Sequence, residues 1–155
     1  MKRIIALLMF VVVLMPVATH AQTPTFSTQL EDLLSTDLKD FNLIKGDYVT
    51  TLDNGSKEYK SELALTGFEP FIIVPTDGKA MFIALSSSPL SKLQMLLLII
   101  VPPAGYTTRD SDSDSSITLQ PGIKRMVTFI SADKATILNM VFFDTDSYSL
   151  SITKS

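Results

Sequence analysis

Near its C-terminal end the chain alternates strictly: Tyr148, Leu150 and Ile152 interleave with Ser149, Ser151 and Thr153. A period of two residues places the apolar set on one face of an extended chain and the hydroxyls on the other. Such a strand requires a sheet with one covered face and one wet face, the habit of antiparallel rather than parallel sheets. Upstream, residues 117–119, 123–131 and 136–143 read as further strands from Tyr106 onward. Their connections Pro121-Gly122, Ala132-Asp133-Lys134 and Asp144-Thr145-Asp146 are short enough for an antiparallel meander.

The first half carries a similar signal. Asn54-Gly55 separates residues 48–52 from 59–65, predicting a hairpin with a type I′ turn, in which both turn residues adopt positive φ. Residues 71–74 and 80–85 form a second predicted pair across Pro75-Thr76-Asp77-Gly78, which closes this sheet segment. Before them, Phe26, Leu30, Leu33, Leu34, Leu38 and Phe41 recur at three- and four-residue intervals, predicting a helix over 26–41. Thr28 and Glu31 have the spacing of a capping box. A second helix is expected from Pro89, capped by the serines at 86–88, to about Val101, where Pro102-Pro103 stops it. The expected fold class is α+β: two helices packed on antiparallel sheet, in the order helix, about four strands, helix, about four strands. That order raises the possibility of two related halves.

The chain opens with Lys2-Arg3, an apolar stretch over 4–17 and small residues at Thr19 and Ala21, the layout of a secretory signal peptide. Cleavage after Ala21 is expected, so 1–21 is a leader and 22–155 a single α+β domain that is periplasmic or secreted. The apolar stretch is shorter than the ~20 residues of a membrane span, and no span is expected in the mature chain. Removing 21 residues leaves 134, with no Cys and no His, because the single His20 lies in the leader. Imidazole and thiol chemistry are therefore excluded, and the core must hold without disulfides. Eleven Lys and Arg remain against sixteen Asp and Glu, the cations scattered, so nucleic acid is not an expected partner.

Residue patterns that could carry chemistry are sparse. Asp110, Asp112 and Asp114 alternate like the opening of a calcium loop, but the sixth and twelfth positions, Ser115 and Pro121, lack the required Gly and Glu. A looser site with Asp144 and Asp146 is the alternative to a plain surface loop. Ser-x-x-Lys spacing occurs at Ser131/Lys134 and Ser151/Lys154, on predicted strand and turn rather than at a helix start, without the companion motifs of penicillin-binding enzymes. Glu31, Glu58, Glu62 and Glu69 are the candidates for a carboxylate pair, with nothing to mark one as buried. All six glycines fall at predicted turns, leaving none for a phosphate cradle. No catalytic residue, cofactor or metal is expected.

The remaining feature is an unbroken run of seven apolar residues, Met95 to Val101. The first reading is core, with the helix laid across a concave sheet; the second is an interface. As an interface its residues are Leu96, Leu97, Ile99 and Ile100, serving homodimer formation or capture of an apolar segment of another protein. The functional expectation is an exported, non-catalytic interaction module using this helix face or an open sheet edge. The alternatives are a structural envelope protein without a discrete ligand, and a calcium-binding protein or carboxylate enzyme.

In layout, the leader ending at Ala21-Gln22, the first helix running into Ile44-Lys45-Gly46 and the mid-chain helix before a meander resemble small exported Bacteroidetes proteins of unknown function. The helix-plus-antiparallel-sheet plan is also similar to that of type III secretion chaperones, cytoplasmic dimers that hold unfolded partners. The chain departs from the latter by carrying a leader, and neither resemblance assigns a role to any residue.

Overall fold

The structure, a computed structural model, describes residues 25–35, 41–76 and 78–155. The expected leader at 1–21, the mature start at Gln22, the 36–40 part of the expected first helix and Asp77 of the expected turn lie outside the described residues.

Helix α1 (Phe26–Ser35) starts earlier than the expected capping box. Thr25 Oγ1 accepts the Thr28 N–H at 3.4 Å, so Thr25 caps the helix and Glu31 lies inside it. The helix does not extend to Phe41. That residue sits at φ +55°, a left-handed conformation that a right-handed helix cannot contain, and its fully buried ring lies 6.4 Å from that of Phe82. A 3-10 turn (Asn42–Ile44) then leads into strands β1 (Lys45–Thr51), β2 (Lys57–Ser61), β3 (Glu69–Val74) and β4 (Met81–Ser86). Helix α2 (Pro89–Ile100) follows, then β5 (Tyr106–Asp110), β6 (Ile123–Ser131), β7 (Thr136–Phe143) and β8 (Tyr148–Lys154).

Two local expectations are corrected. Residues 117–119 form no strand; β5 lies earlier, where the β-branched Thr107 and Thr108 pair with Ile130 and Phe129 of β6. The β1–β2 turn is not type I′, because Asn54 is not among the described non-glycine residues with positive φ. Gly55 alone adopts it, at +82°, and Leu52 and Ser56 close the loop by a hydrogen bond from Leu52 N–H to Ser56 O at 2.8 Å. Asp53-Asn54-Gly55 is thus a three-residue loop with glycine at the left-handed position.

The eight strands form one antiparallel sheet in the order β1-β2-β3-β4-β8-β7-β6-β5. The two groups of four therefore do not make separate segments; they are joined by β4 and β8, paired from Met81↔Thr153 to Ser86↔Tyr148. Register aligns Ile72, Phe82, Ile152, Leu138 and Phe129 in one row across five strands, and all are fully buried. Both helices close this face: Phe26, Leu30 and Leu33 of α1 and Met95 of α2 belong to the same apolar core as that row. The alternation read at Tyr148 to Thr153 is present in β8, with Tyr148, Leu150 and Ile152 buried beneath the helices.

Candidate functional site

The mid-chain helix is fixed by a chain of serine hydroxyls. Ser88, extended at ψ 136°, accepts the Leu90 N–H, and Pro89 occupies the first helical position. Ser91, fully buried one turn in, donates to Gly67 O at 2.5 Å. With that proton used, Ser86 donates to Ser91 Oγ at 2.8 Å and itself accepts the Ser88 N–H at 3.0 Å. The sheet end and the loop before β3 thereby set where α2 begins and how it is rotated.

That rotation divides the apolar run. Met95 is fully buried, Leu96, Leu98 and Ile99 are half-buried against the core, and Leu97, Ile100 and Val101 are 52%, 75% and 70% exposed. The core reading of the whole run is therefore corrected. Of the four residues expected to form an interaction surface, Leu96 and Ile99 lean on the core, whereas Leu97 and Ile100 face outward. The outward pair is extended by Leu90 and Leu93, half-exposed residues that lie upstream of the contiguous apolar run. Their signal was present as the 3-4-3 spacing Leu90, Leu93, Leu97, Ile100, a single helical face about 100° wide. Beside it, Leu30 and Leu34 of α1, Leu97 and Leu98 of α2 and Val101 just after it line a groove of about 520 Å³ between the two helices.

The acidic loop is occupied by its own arginines. Arg125 holds Asp110 through two hydrogen bonds and lies 3.2 Å from Asp112, while Arg109 donates to Asp114 at 2.9 Å. Hydrogen bonding from Arg125 lowers the Asp110 pKa, and the Ser116 hydroxyl, followed by Arg109, lowers that of Asp114 to about 2. Asp146 faces Lys124 at 3.8 Å instead of joining them. Among the described residues no three metal-binding side chains converge.

Neither Ser-x-x-Lys pair is assembled. Ser131 donates to Asp133 at 2.6 Å within a turn. Ser151 and Lys154 project from opposite faces of β8, and Lys154 Nζ donates to Leu34 O at 3.0 Å. Glu31, Glu62 and Glu69 are exposed on α1, on the β2–β3 connection and on β3, and Glu58 is on β2. A second cleft, of about 740 Å³, lies between the end of β4 and the β7–β8 turn, with Phe68, Leu85 and Tyr148 in its walls.

The sheet face away from the helices is also apolar over much of its area. Ile73, Met81, Thr153, Ile137 and Ile130 form one outward row; none of them belongs to the core beneath the helices, and Ile73 is the one among them already buried in the single chain. Strands β4 and β7 therefore carry apolar residues on both faces, a departure from the one wet face expected from β8.

The described residues contain no helix long and apolar enough to cross a membrane. Comparison with known proteins finds no matching family model, no matching curated protein and no matching solved structure.

Proposed function

We propose that the protein is a non-catalytic interaction module that works outside the cytoplasm after loss of residues 1–21. Its binding surface is the outward face of α2, where another protein lays down an apolar segment along Leu90, Leu93, Leu97 and Ile100. The carrying observation is that four large apolar side chains at helical spacing, half-exposed or more, lie on one rigid, capped helix beside an apolar groove. Scattered surface apolar residues need no explanation, but a contiguous face of this kind favours association. An amphipathic helix laid against such a face uses i, i+3, i+4 and i+7 anchors, and α2 itself presents i, i+3, i+7 and i+10.

A strand edge is the weaker surface. The β1–β2 ladder is interrupted by two register shifts, and β5 at the other edge is only five residues long. Bulged and short edges resist the addition of a further strand. Lys2-Arg3, the apolar 4–17 stretch and the small residues before Gln22 support the exported location.

The test places a photo-crosslinking residue at Leu93 or Leu97 in the producing cells, with Asp53, exposed in the β1–β2 loop, as control. The crosslinked protein is then purified and titrated against the wild-type chain and Leu97→Asp. The proposal expects crosslinks from the helix positions and a partner whose affinity falls at least about thirtyfold in Leu97→Asp. Equal crosslinking from Asp53, or unchanged binding to Leu97→Asp, would overturn it.

A further inference from the structure

We infer that the sheet face opposite the helices is a homodimer interface, packed against the same face of a second copy of the chain. Three observations select that occupant. The first is size. Eight strands about 4.8 Å apart, each with about six residues rising about 3.3 Å, make a face of roughly 38 by 20 Å, close to the ~800 Å² that each partner contributes to a standard interface.

The second is the distribution of charge. On β4, β8 and β7 the outward residues facing away from the helices are uncharged, while Glu69 stands at the start of β3 beside Leu85, Glu58 and Lys60 lie on β2 and Arg109 on β5, around that centre. An uncharged centre with a charged rim is the anatomy of a protein interface, with depletion of charge where water is excluded. The apolar residues of that centre lie outside the core that the helices cover.

The third is shape. β4 presents Met81, Ile83 and Leu85 outward, and its neighbour β8 presents Thr153, Ser151 and Ser149 in the same three rows. A ridge of large side chains therefore runs beside a trough of small ones. A two-fold axis parallel to the strands, passing between β4 and β8, lays the ridge of each copy into the trough of the other. The contact is isologous and closes at two copies. Face-to-face sheets at about 10 Å separation accommodate exactly such interdigitation of large and small side chains. Both helices then point away from the dimer, so the proposed α2 surface stays available on each copy.

The test is solution mass by light scattering over a concentration series, on protein purified after expression of the whole chain. Wild type should have twice the monomer mass. Ser151→Arg fills the trough from the outward face of β8 without touching the core, and Ile83→Lys places a charge on the ridge. Each should weaken the dimer at least about thirtyfold while circular dichroism reports a folded chain. Leu97→Asp should leave the dimer intact. A monomeric wild type would overturn the inference, as would a dimer that survives both sheet substitutions. Loss of the dimer in Leu97→Asp alone would overturn it too, by placing self-association on α2.

Discussion

Leu97 and Met95 are two residues apart on α2 and differ sharply in burial, so a charge at each position tests how the helix is seated. Leu97 keeps 52% of its surface in water, whereas Met95 keeps none. Complete burial of a leucine contributes about 1.5–3 kcal/mol, so half-burial leaves about 1 kcal/mol to lose in Leu97→Asp. The poorer helix propensity of aspartate adds about 0.5 kcal/mol. A negative charge three residues from the C-terminal end of the helix adds about 0.5 kcal/mol more. The total is about 2 kcal/mol, which in a domain of this size lowers the melting temperature by roughly 5–10 °C. Met95→Asp places an unpaired carboxylate among apolar side chains, with a penalty above about 4 kcal/mol, a large share of the stability of any domain. Thermal melts followed by circular dichroism at neutral pH should show Leu97→Asp folded with a lowered midpoint and Met95→Asp largely unfolded at 25 °C. Similar melts for the two variants, or an unfolded Leu97→Asp, would refute the seating of α2.

Gly67→Ala should destabilise by about 2–3 kcal/mol, because φ +86° disfavours any Cβ and the new atom would stand 2.8 Å from Ser91 Oγ, breaking its bond to Gly67 O; denaturant titration measures it. Lys134→Gly should stabilise by up to about 1 kcal/mol, since Lys134 holds φ +59° in an exposed turn that glycine adopts without strain; a raised thermal midpoint is the readout. Asp110 and Asp114 have lowered pKa values, so their contribution to stability is complete above the ordinary carboxylate pKa near 4 and is lost as pH falls through their folded values. Arg125→Ala should move the Asp110 pKa back toward 3.8 and flatten the acid limb of stability against pH, measured by carboxyl NMR titration and by urea melts at several pH values.

The elements that local chemistry determines were legible in the residues. The strand alternation at Tyr148 to Thr153 and the Ser88-Pro89 start of α2 depend on backbone geometry within a few positions, and both appear in the structure. Where tertiary packing decides, the residues were silent. Phe41 continued the apolar period of α1 but leaves the helix to fill the core beside Phe82. Read alone, the seven-residue apolar run carries no mark of which side meets water, and the 3-4-3 spacing emerges only when Leu90 and Leu93 are read with it. That information lies in Ser91 and Gly67, 24 residues apart in sequence and joined only in three dimensions.

The two halves of the sheet repeat one arrangement in a way residue identity conceals. Adding 68 to the pair Lys57↔Val74 gives Arg125↔Phe142, and adding it to Glu69↔Leu85 gives Ile137↔Thr153; all four are pairs of the sheet. The same offset carries Ile72 to Met140, Phe82 to Leu150 and Ala84 to Ile152, all buried on the helix side. The halves thus conserve register and inward polarity, which the core requires, while exchanging one apolar side chain for another. They part at the β5–β6 connection, twelve residues long against five between β1 and β2, where the acidic loop is inserted. They part again on the outward face, where Met81, Ile83 and Leu85 correspond to Ser149, Ser151 and Thr153. Nothing in the core demands that difference, and it is what makes the outward face self-complementary in the inferred dimer. Exchanging one pair isolates its role. Ile83→Ser leaves a gap opposite Ser151 of the second copy, and Ser151→Ile forces two isoleucines together, so each alone should weaken association. The double variant restores large against small with the positions reversed. Its dimer should be tighter than that of either single variant in the same light-scattering series, and a double variant no tighter than the weaker single one would refute the ridge-in-trough packing.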